Sequence, residues 1–184
     1  MKAAIVTAAG VDPTYGHFRD PVLQEGLTIV TVTATALTNL TKGRASGSHY
    51  SANNQYPFVP RVDGVGTLAD GRRVYFAMPE APFGAMAEQT LVDSRRIISL
   101  PDNLDDVAAA ALANPGMSCF AALVERGRFR AGETVLINGA TGTAGGCCGS
   151  GCETTWSRKS DSRRPQCAAT RSTAFSRCRR DYPL

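Results

Sequence analysis

The sequence predicts a mainly β body that hands over to the opening of an α/β unit and ends in a tail without structure. Three observations carry this. Short β-branched runs punctuated by Gly and Pro fill about the first 100 residues. Two helical stretches and an apolar run ending in a glycine turn follow. Past Gly145 the large aliphatic side chains vanish: no Val, Ile, Leu or Met stands between Gly146 and Pro183.

Lys2–Thr7 reads as a first strand, and Leu27–Leu37 as a longer one in which Leu27, Ile29 and Thr31 alternate with Thr28, Val30 and Val32. Val62–Leu68, Arg73–Met78 and Ala85–Val92 read as three more, separated by Asp70-Gly71 and by Pro79 and Pro82. This is the spacing of a small barrel. Asp102-Asn103 then caps a helix over Leu104–Ala113, and Pro115-Gly116 restarts a second over Met117–Arg126. Glu133–Asn138, bounded by Gly132 and Gly139, has the continuous apolar character of a buried parallel strand.

The tail concentrates the charge. Residues 146–184 hold eight Lys and Arg against three acids, a net charge of +5, and five of the six cysteines, while residues 1–145 are close to neutral. A segment without aliphatic side chains cannot bury enough surface to offset its chain entropy, so disorder is expected over 146–184. Scattered arginines can bind phosphates, but the tail interleaves few aromatics among them, and no nucleic acid partner is expected. No run approaches the roughly 18 apolar residues of a membrane span, and Met1–Gly10 is too weakly apolar for a signal peptide. The expectation is a cytoplasmic protein with no membrane partner.

Directly after the apolar run comes Gly139-Ala140-Thr141-Gly142-Thr143-Ala144-Gly145. Glycines at this spacing permit a tight turn and close approach of backbone to a pyrophosphate, and a helix starting there would offer amide donors. As a bare pattern the triplet also fits an ordinary glycine loop. Its place at the end of an apolar strand favours the first reading.

Several linked motifs, in order, make the chain recognisable. Pro57-Phe58-Val59-Pro60-Arg61-Val62-Asp63-Gly64-Val65-Gly66, Asp70-Gly71-Arg72-Arg73-Val74, Gly84-Ala85-Met86-Ala87-Glu88, Leu100-Pro101-Asp102 and Gly132-Glu133-Thr134-Val135-Leu136-Ile137-Asn138-Gly139-Ala140-Thr141-Gly142 resemble the medium-chain dehydrogenase/reductase superfamily, in its zinc-independent quinone oxidoreductase-like branch. The resemblance covers about residues 1–145. It implies a GroES-like β-barrel substrate domain over 1–100. Linking helices and the first strand and glycine loop of a Rossmann domain would follow over 101–145, and the tail over 146–184. It implies NADP as cofactor, bound with Gly139, Gly142 and Gly145, and hydride delivery to a quinone, an enone or another small carbonyl compound. For the intact family it allows a homodimer.

Zinc-dependent relatives hold their metal through a Cys after the long strand and a Gly-His-Glu segment. Leu37-Thr38-Asn39 and Arg61-Val62-Asp63 stand there instead. With two histidines in the chain and no C-x-x-C pair in the tail, no metal site is expected. Carbonyl reduction without a Lewis acid needs hydrogen-bond donors where charge develops. In the segment resembling the family's substrate side, Asn39, Lys42 and Tyr50 are the candidate catalytic residues. Each has a plainer reading: a turn residue, a solvated charge and a packing ring. Asp63 reads as a turn carboxylate. Arg61 stands where the family has glycine, so a disturbed turn is expected.

After Gly145 the family continues into a helix of the type Leu-Ala-Val-Gln-x-Ala-Lys-x-Leu-Gly-Ala, which this chain lacks. Shifted by one base, the codons of Glu153 before Thr154 force Lys or Arg and that of Trp156 forces Gly, and the lost frame permits Gly-Arg-Asn-Ala at Arg164 to Cys167. The tail therefore reads as family sequence in the wrong frame. Two functions follow: an NADPH-dependent oxidoreductase, or a truncated, frameshifted fragment that folds around its barrel and has neither a helix behind the glycine turn nor cofactor binding and catalysis.

Overall fold

The computed structural model describes residues 1–50, 55–130, 133–156 and 176–179. The chain divides into two compact units, 1–111 and 112–184.

In the first unit, strands β1 (Lys2–Ile5) and β2 (Thr14–His17) pair antiparallel. Strands β3 (Leu27–Ala34), β4 (Asp63–Thr67), β5 (Arg73–Ala77), β6 (Gln89–Asp93) and β7 (Ile97–Ser99) form one antiparallel sheet in the order β6-β3-β4-β5-β7. Val30, Val74, Phe76, Ala85 and Val92 form a buried cluster, each 0–1% exposed. Alternation puts Val30, Val74, Phe76 and Val92 on one face of their strands, and Ala85 joins them from the segment before β6. A second buried cluster joins Val65 of β4 to Ala109 and Ala110 of helix α2 (Asp106–Phe120). Arg73 anchors the approach to that helix: its guanidinium donates to Asp106 Oδ1 at 3.0 Å and to the Asp102 carbonyl at 3.2 Å.

Five expected strands are present with shorter bounds. β3 stops at Ala34 rather than Leu37 because its pairing with β4 shifts between Val32 and Ala34. The Thr35 hydroxyl then donates to the Asp63 carbonyl at 2.9 Å. Residues 86–88, expected to belong to β6, bridge β1, with Ala4 N donating to the Met86 carbonyl at 2.9 Å and Ala3 opposite Ala87, while the Glu88 carbonyl already accepts from Val32 N of β3 at 2.9 Å. β2, β7 and the short helix α1 (Asn39–Ala45) are additions to the sequence reading.

The two helices expected around Pro115 are one. α2 runs through the proline to Phe120 and continues as a π-helical segment, Ala121–Arg126. An internal proline removes one backbone bond, and the alanine-rich turns before it have the propensity to carry the helix across. The combined stretch Asp106–Arg126, 21 residues holding an 18-residue window of mean hydropathy 1.6, is long and apolar enough to cross a membrane by length and composition alone. The value is an average and the stretch is not an unbroken apolar run: Asn114, Pro115, Gly116 and Ser118 stand inside it.

In the second unit, strand β8 (Thr134–Ile137) is followed by the glycine turn and helix α3 (Thr143–Trp156). β8 pairs antiparallel with β9 (Ser176–Arg179), which corrects the expected buried parallel strand. Parallel strands need cover on both faces, and Leu136 is 50% exposed while Ile137 is 9% exposed, the pattern of a strand covered on one face. The expectation of disorder from residue 146, with no helix behind the turn, is corrected over 146–156. Gly146 N already donates to the Gly142 carbonyl at 2.8 Å, and helical backbone bonding needs no aliphatic side chain. Residues 157–175 and 180–184, where much of the shifted-frame reading falls, lie outside the described residues.

Candidate functional site

α1 starts where Thr38 leaves extended backbone at φ −123°, ψ 167°. Its hydroxyl accepts from Thr41 N at 3.4 Å while the Thr41 hydroxyl accepts from Thr38 N at 3.5 Å. This reciprocal cap satisfies two amides that a helix start otherwise leaves without partners. α1 and the residues after it form one wall of an open cleft of about 720 Å³. Thr41, Lys42, Ser46 and Ser48 lie on that side and Asp12 and Met86 on others. Lys42 is exposed.

The structure brings one of the three catalytic candidates to the cleft. Lys42 lines it. Asn39, the first residue of α1, is exposed and outside the lining, and Tyr50, 95% exposed, packs its ring on His49 with centroids 4.3 Å apart. Lys42 is thus the candidate able to present a donor to a molecule in the cleft.

Behind Thr41 is a buried polar cluster. Arg61 and Asp63, side chains 0% and 2% exposed, are ion-paired at 2.8 Å. Arg61 Nε donates to the Thr35 hydroxyl at 3.1 Å, and Nη1 donates to the hydroxyls of Thr38 at 3.0 Å and Thr41 at 3.3 Å. The Tyr75 hydroxyl donates to Asp63 Oδ2 at 2.9 Å. Burial pushes the Asp63 carboxyl above its ordinary range, against the pull of Arg61 and Tyr75. Burial likewise lowers Arg61, and burial followed by the Asp63 charge raises Tyr75. Arg61 has φ 87°, a backbone region that favours glycine. The side chain folds into the cluster, and Asp63 is a buried partner on β4 rather than a turn carboxylate. Thr38 followed three residues on by Thr41 was a legible sign of the cap; nothing local announced the cluster.

In the other unit, Gly139 has φ 76°, and Gly142 N donates to its carbonyl at 3.0 Å. A Cβ at Gly145 would fall 2.3 Å from the Gly139 oxygen and 2.7 Å from Ala140 Cα, so the turn closes on itself with only backbone there. At Gly142 the nearest atom would be 3.4 Å away. The three glycines thus form one strand–turn–helix element, with Gly145 inside the first turn of α3. Among the described residues, no group of three or more His, Cys, Asp or Glu is arranged to hold a metal ion.

Sequence and fold comparisons agree on the class. No family model matches the chain. The chain is 30% identical over 133 residues to the quinone oxidoreductase of Lama guanicoe, an alignment covering 68% of this chain and 40% of that protein. It is 30% identical over 139 residues to the chloroplastic NADPH-dependent alkenal/one oxidoreductase of Arabidopsis thaliana, covering 66% and 36%. The solved quinone oxidoreductase of Thermus thermophilus, also solved in complex with NADPH, superposes with a TM-score of 0.75 at 27% identity over 83% of this chain and 49% of that one. These matches make the chain similar to proteins of the medium-chain dehydrogenase/reductase class. Within it, the N-terminal part of the chain, 68% to 83% of its length, matches quinone oxidoreductases in sequence and fold. The chain spans less than half the length of these relatives.

Proposed function

We propose that this chain carries the substrate side and the opening of the cofactor side of a zinc-free, NADPH-dependent oxidoreductase acting on a quinone, enone or other small carbonyl compound. The observation that carries the reading is the glycine turn between β8 and α3. At Gly145 the turn packs backbone against backbone, Gly139 and Ala140 lying where a Cβ would be, and this closes the turn directly onto the start of α3, whose amides a pyrophosphate would face. Gly139, Gly142 and Gly145 would hold the pyrophosphate. When bound, NADPH supplies a hydride to the acceptor. The antiparallel body is read as the family's GroES-like barrel, with the cleft beside α1 as the acceptor site. There the Lys42 ammonium donates to the acceptor oxygen as negative charge develops on it, the role a Lewis acid would otherwise fill. Asn39 and Tyr50 stand outside the cleft lining and serve the segment's shape. The same reading places the protein in the cytoplasm, with a small molecule as its partner and neither nucleic acid nor membrane.

A second reading has its own support. The strand beside β8 is antiparallel, whereas a dinucleotide fold sets a parallel strand there to carry the ribose contact. On that basis the chain is a fragment that folds but binds no cofactor. Calorimetric titration of the 184-residue chain with NADPH, with NADPH oxidation followed in the presence of duroquinone (tetramethyl-1,4-benzoquinone), separates the two. Micromolar binding with turnover establishes the oxidoreductase; absence of both establishes the fragment.

A further inference from the structure

We infer that Arg61 is a positioning residue: through the hydroxyls of Thr38 and Thr41 it locks α1, and with it Lys42, as the fixed wall of the cleft. The inference rests on the functional reading only in taking that cleft as the acceptor site.

Arg61 occupies backbone at φ 87°, where any side chain carries strain that glycine avoids. Such a residue persists where its surroundings over-determine it. Here they do. The guanidinium plane is engaged on three sides: Thr35 past the end of β3, the cap Thr38 and first-turn Thr41 of α1, and Asp63 of β4. The ion pair alone would need one side of the fork. The other donors reach two hydroxyls that also close the reciprocal cap of α1. α1 is seven residues long, too short to hold itself as a helix in water. Its orientation therefore depends on what grips its first turn. Thr41 is 4% exposed yet borders the cleft, so one hydroxyl connects the buried guanidinium to the wall next to Lys42. Lysine could pair with Asp63 but has no planar fork to serve three further oxygens at these distances.

The test compares backbone amide exchange in the 184-residue chain and in three variants. Thr41→Val keeps the shape and the ion pair but removes the acceptor, Thr41→Ser keeps the acceptor, and Arg61→Lys keeps the charge but not the fork. T41V and R61K are expected to exchange the α1 amides at least tenfold faster with β3, β4 and β5 unchanged, and T41S to return α1 to the parent rate. Parent-like exchange of α1 in T41V overturns the inference, as does equal acceleration across the sheet. T41V also removes the acceptor of Thr38 N in the reciprocal cap, so R61K, which keeps both cap hydroxyls, separates the two contributions: parent-like α1 exchange in R61K overturns the inference, and Arg61→Gln stands in where R61K does not fold. Turnover of NADPH with duroquinone is read alongside. Where the parent turns over, T41V is expected to lower kcat at least tenfold with KM for NADPH within twofold, and an unchanged kcat overturns the link to Lys42. A parent without turnover withdraws the functional reading, and amide exchange still decides whether Arg61 positions α1.

Discussion

Arg61 and Asp63 lie two residues apart, ion-paired at 2.8 Å with side chains 0% and 2% exposed. A pair this deep is held by mutual compensation, since either charge alone in the interior is strongly unfavourable. Tyr75 and the three threonines supply the remaining partners, so the cluster ties β4, β5 and the start of α1 into one unit.

Asp63→Asn is therefore expected to destabilise the first unit by roughly 3–5 kcal/mol, because Arg61 would remain buried and charged without its counterion. Asp70→Asn is the control. It breaks the pair with Arg72, whose side chains are 63% and 52% exposed, and should leave the unfolding midpoint close to the parent. Denaturant unfolding of both variants, read at unchanged slope, checks the contrast.

Acid sensitivity should come from the α2 end of the body. Asp106 lies below its ordinary carboxylate value, first through the Thr33 hydroxyl, which donates to Oδ2 at 2.6 Å, and then through Arg73. A carboxyl lowered in the folded state binds fewer protons there than when unfolded. Its stabilisation is present above the ordinary value, near pH 4, and is lost as pH falls through the lowered one. Asp106→Asn should lower the thermal midpoint at pH 7 and flatten its decline below about pH 4. A decline as steep as the parent's would show that other carboxylates carry it.

Much of the body was legible because its strands follow period two. Val74 and Phe76 show it most cleanly, buried in β5 while Arg73, Tyr75 and Ala77 between them are only half-buried; in β3 apolar residues stand on both faces, and the buried one, that of Val30, is settled only by packing. What escaped was set by partners distant in sequence. Residues 86–88 look like the start of β6 but pair with β1, and no local signal distinguishes the two. Arg61 reads as an intruder at a glycine position, because the three hydroxyls that accept its donors lie 20 to 26 residues away. The glycine turn was legible as a motif; the helix after it was not, because Thr143–Trp156 offers hardly any of the apolar periodicity by which helices are recognised in sequence.

The three catalytic candidates are separated by position. If the chain reduces duroquinone, Lys42→Met should lower kcat by about 100-fold, the scale for removing one donor that meets developing charge. Asn39→Ala and Tyr50→Phe, outside the cleft lining, should change kcat less than threefold. Steady-state kinetics on the three variants checks the assignment, and a loss in Tyr50→Phe matching that in Lys42→Met would move the donor role to the tyrosine.

The glycine turn makes the last prediction, because its glycines are not equivalent. At Gly145 a Cβ would meet backbone at 2.3 Å, 2.7 Å and 2.8 Å, and neither the Gly139 carbonyl nor Ala140 can move aside as a side-chain tip would. At Gly142 the one neighbour, the Gly139 oxygen, would stand at an ordinary 3.4 Å. Gly145→Ala must therefore open the turn or displace the start of α3, and either change spoils the amides that face a pyrophosphate. Gly142→Ala should keep the turn. If the chain binds NADPH, calorimetry should show affinity lost at least tenfold in G145A and changed less than threefold in G142A. Equal losses in both would mean that the pyrophosphate lies against Gly142, with the close approach at Gly145 serving helix packing alone.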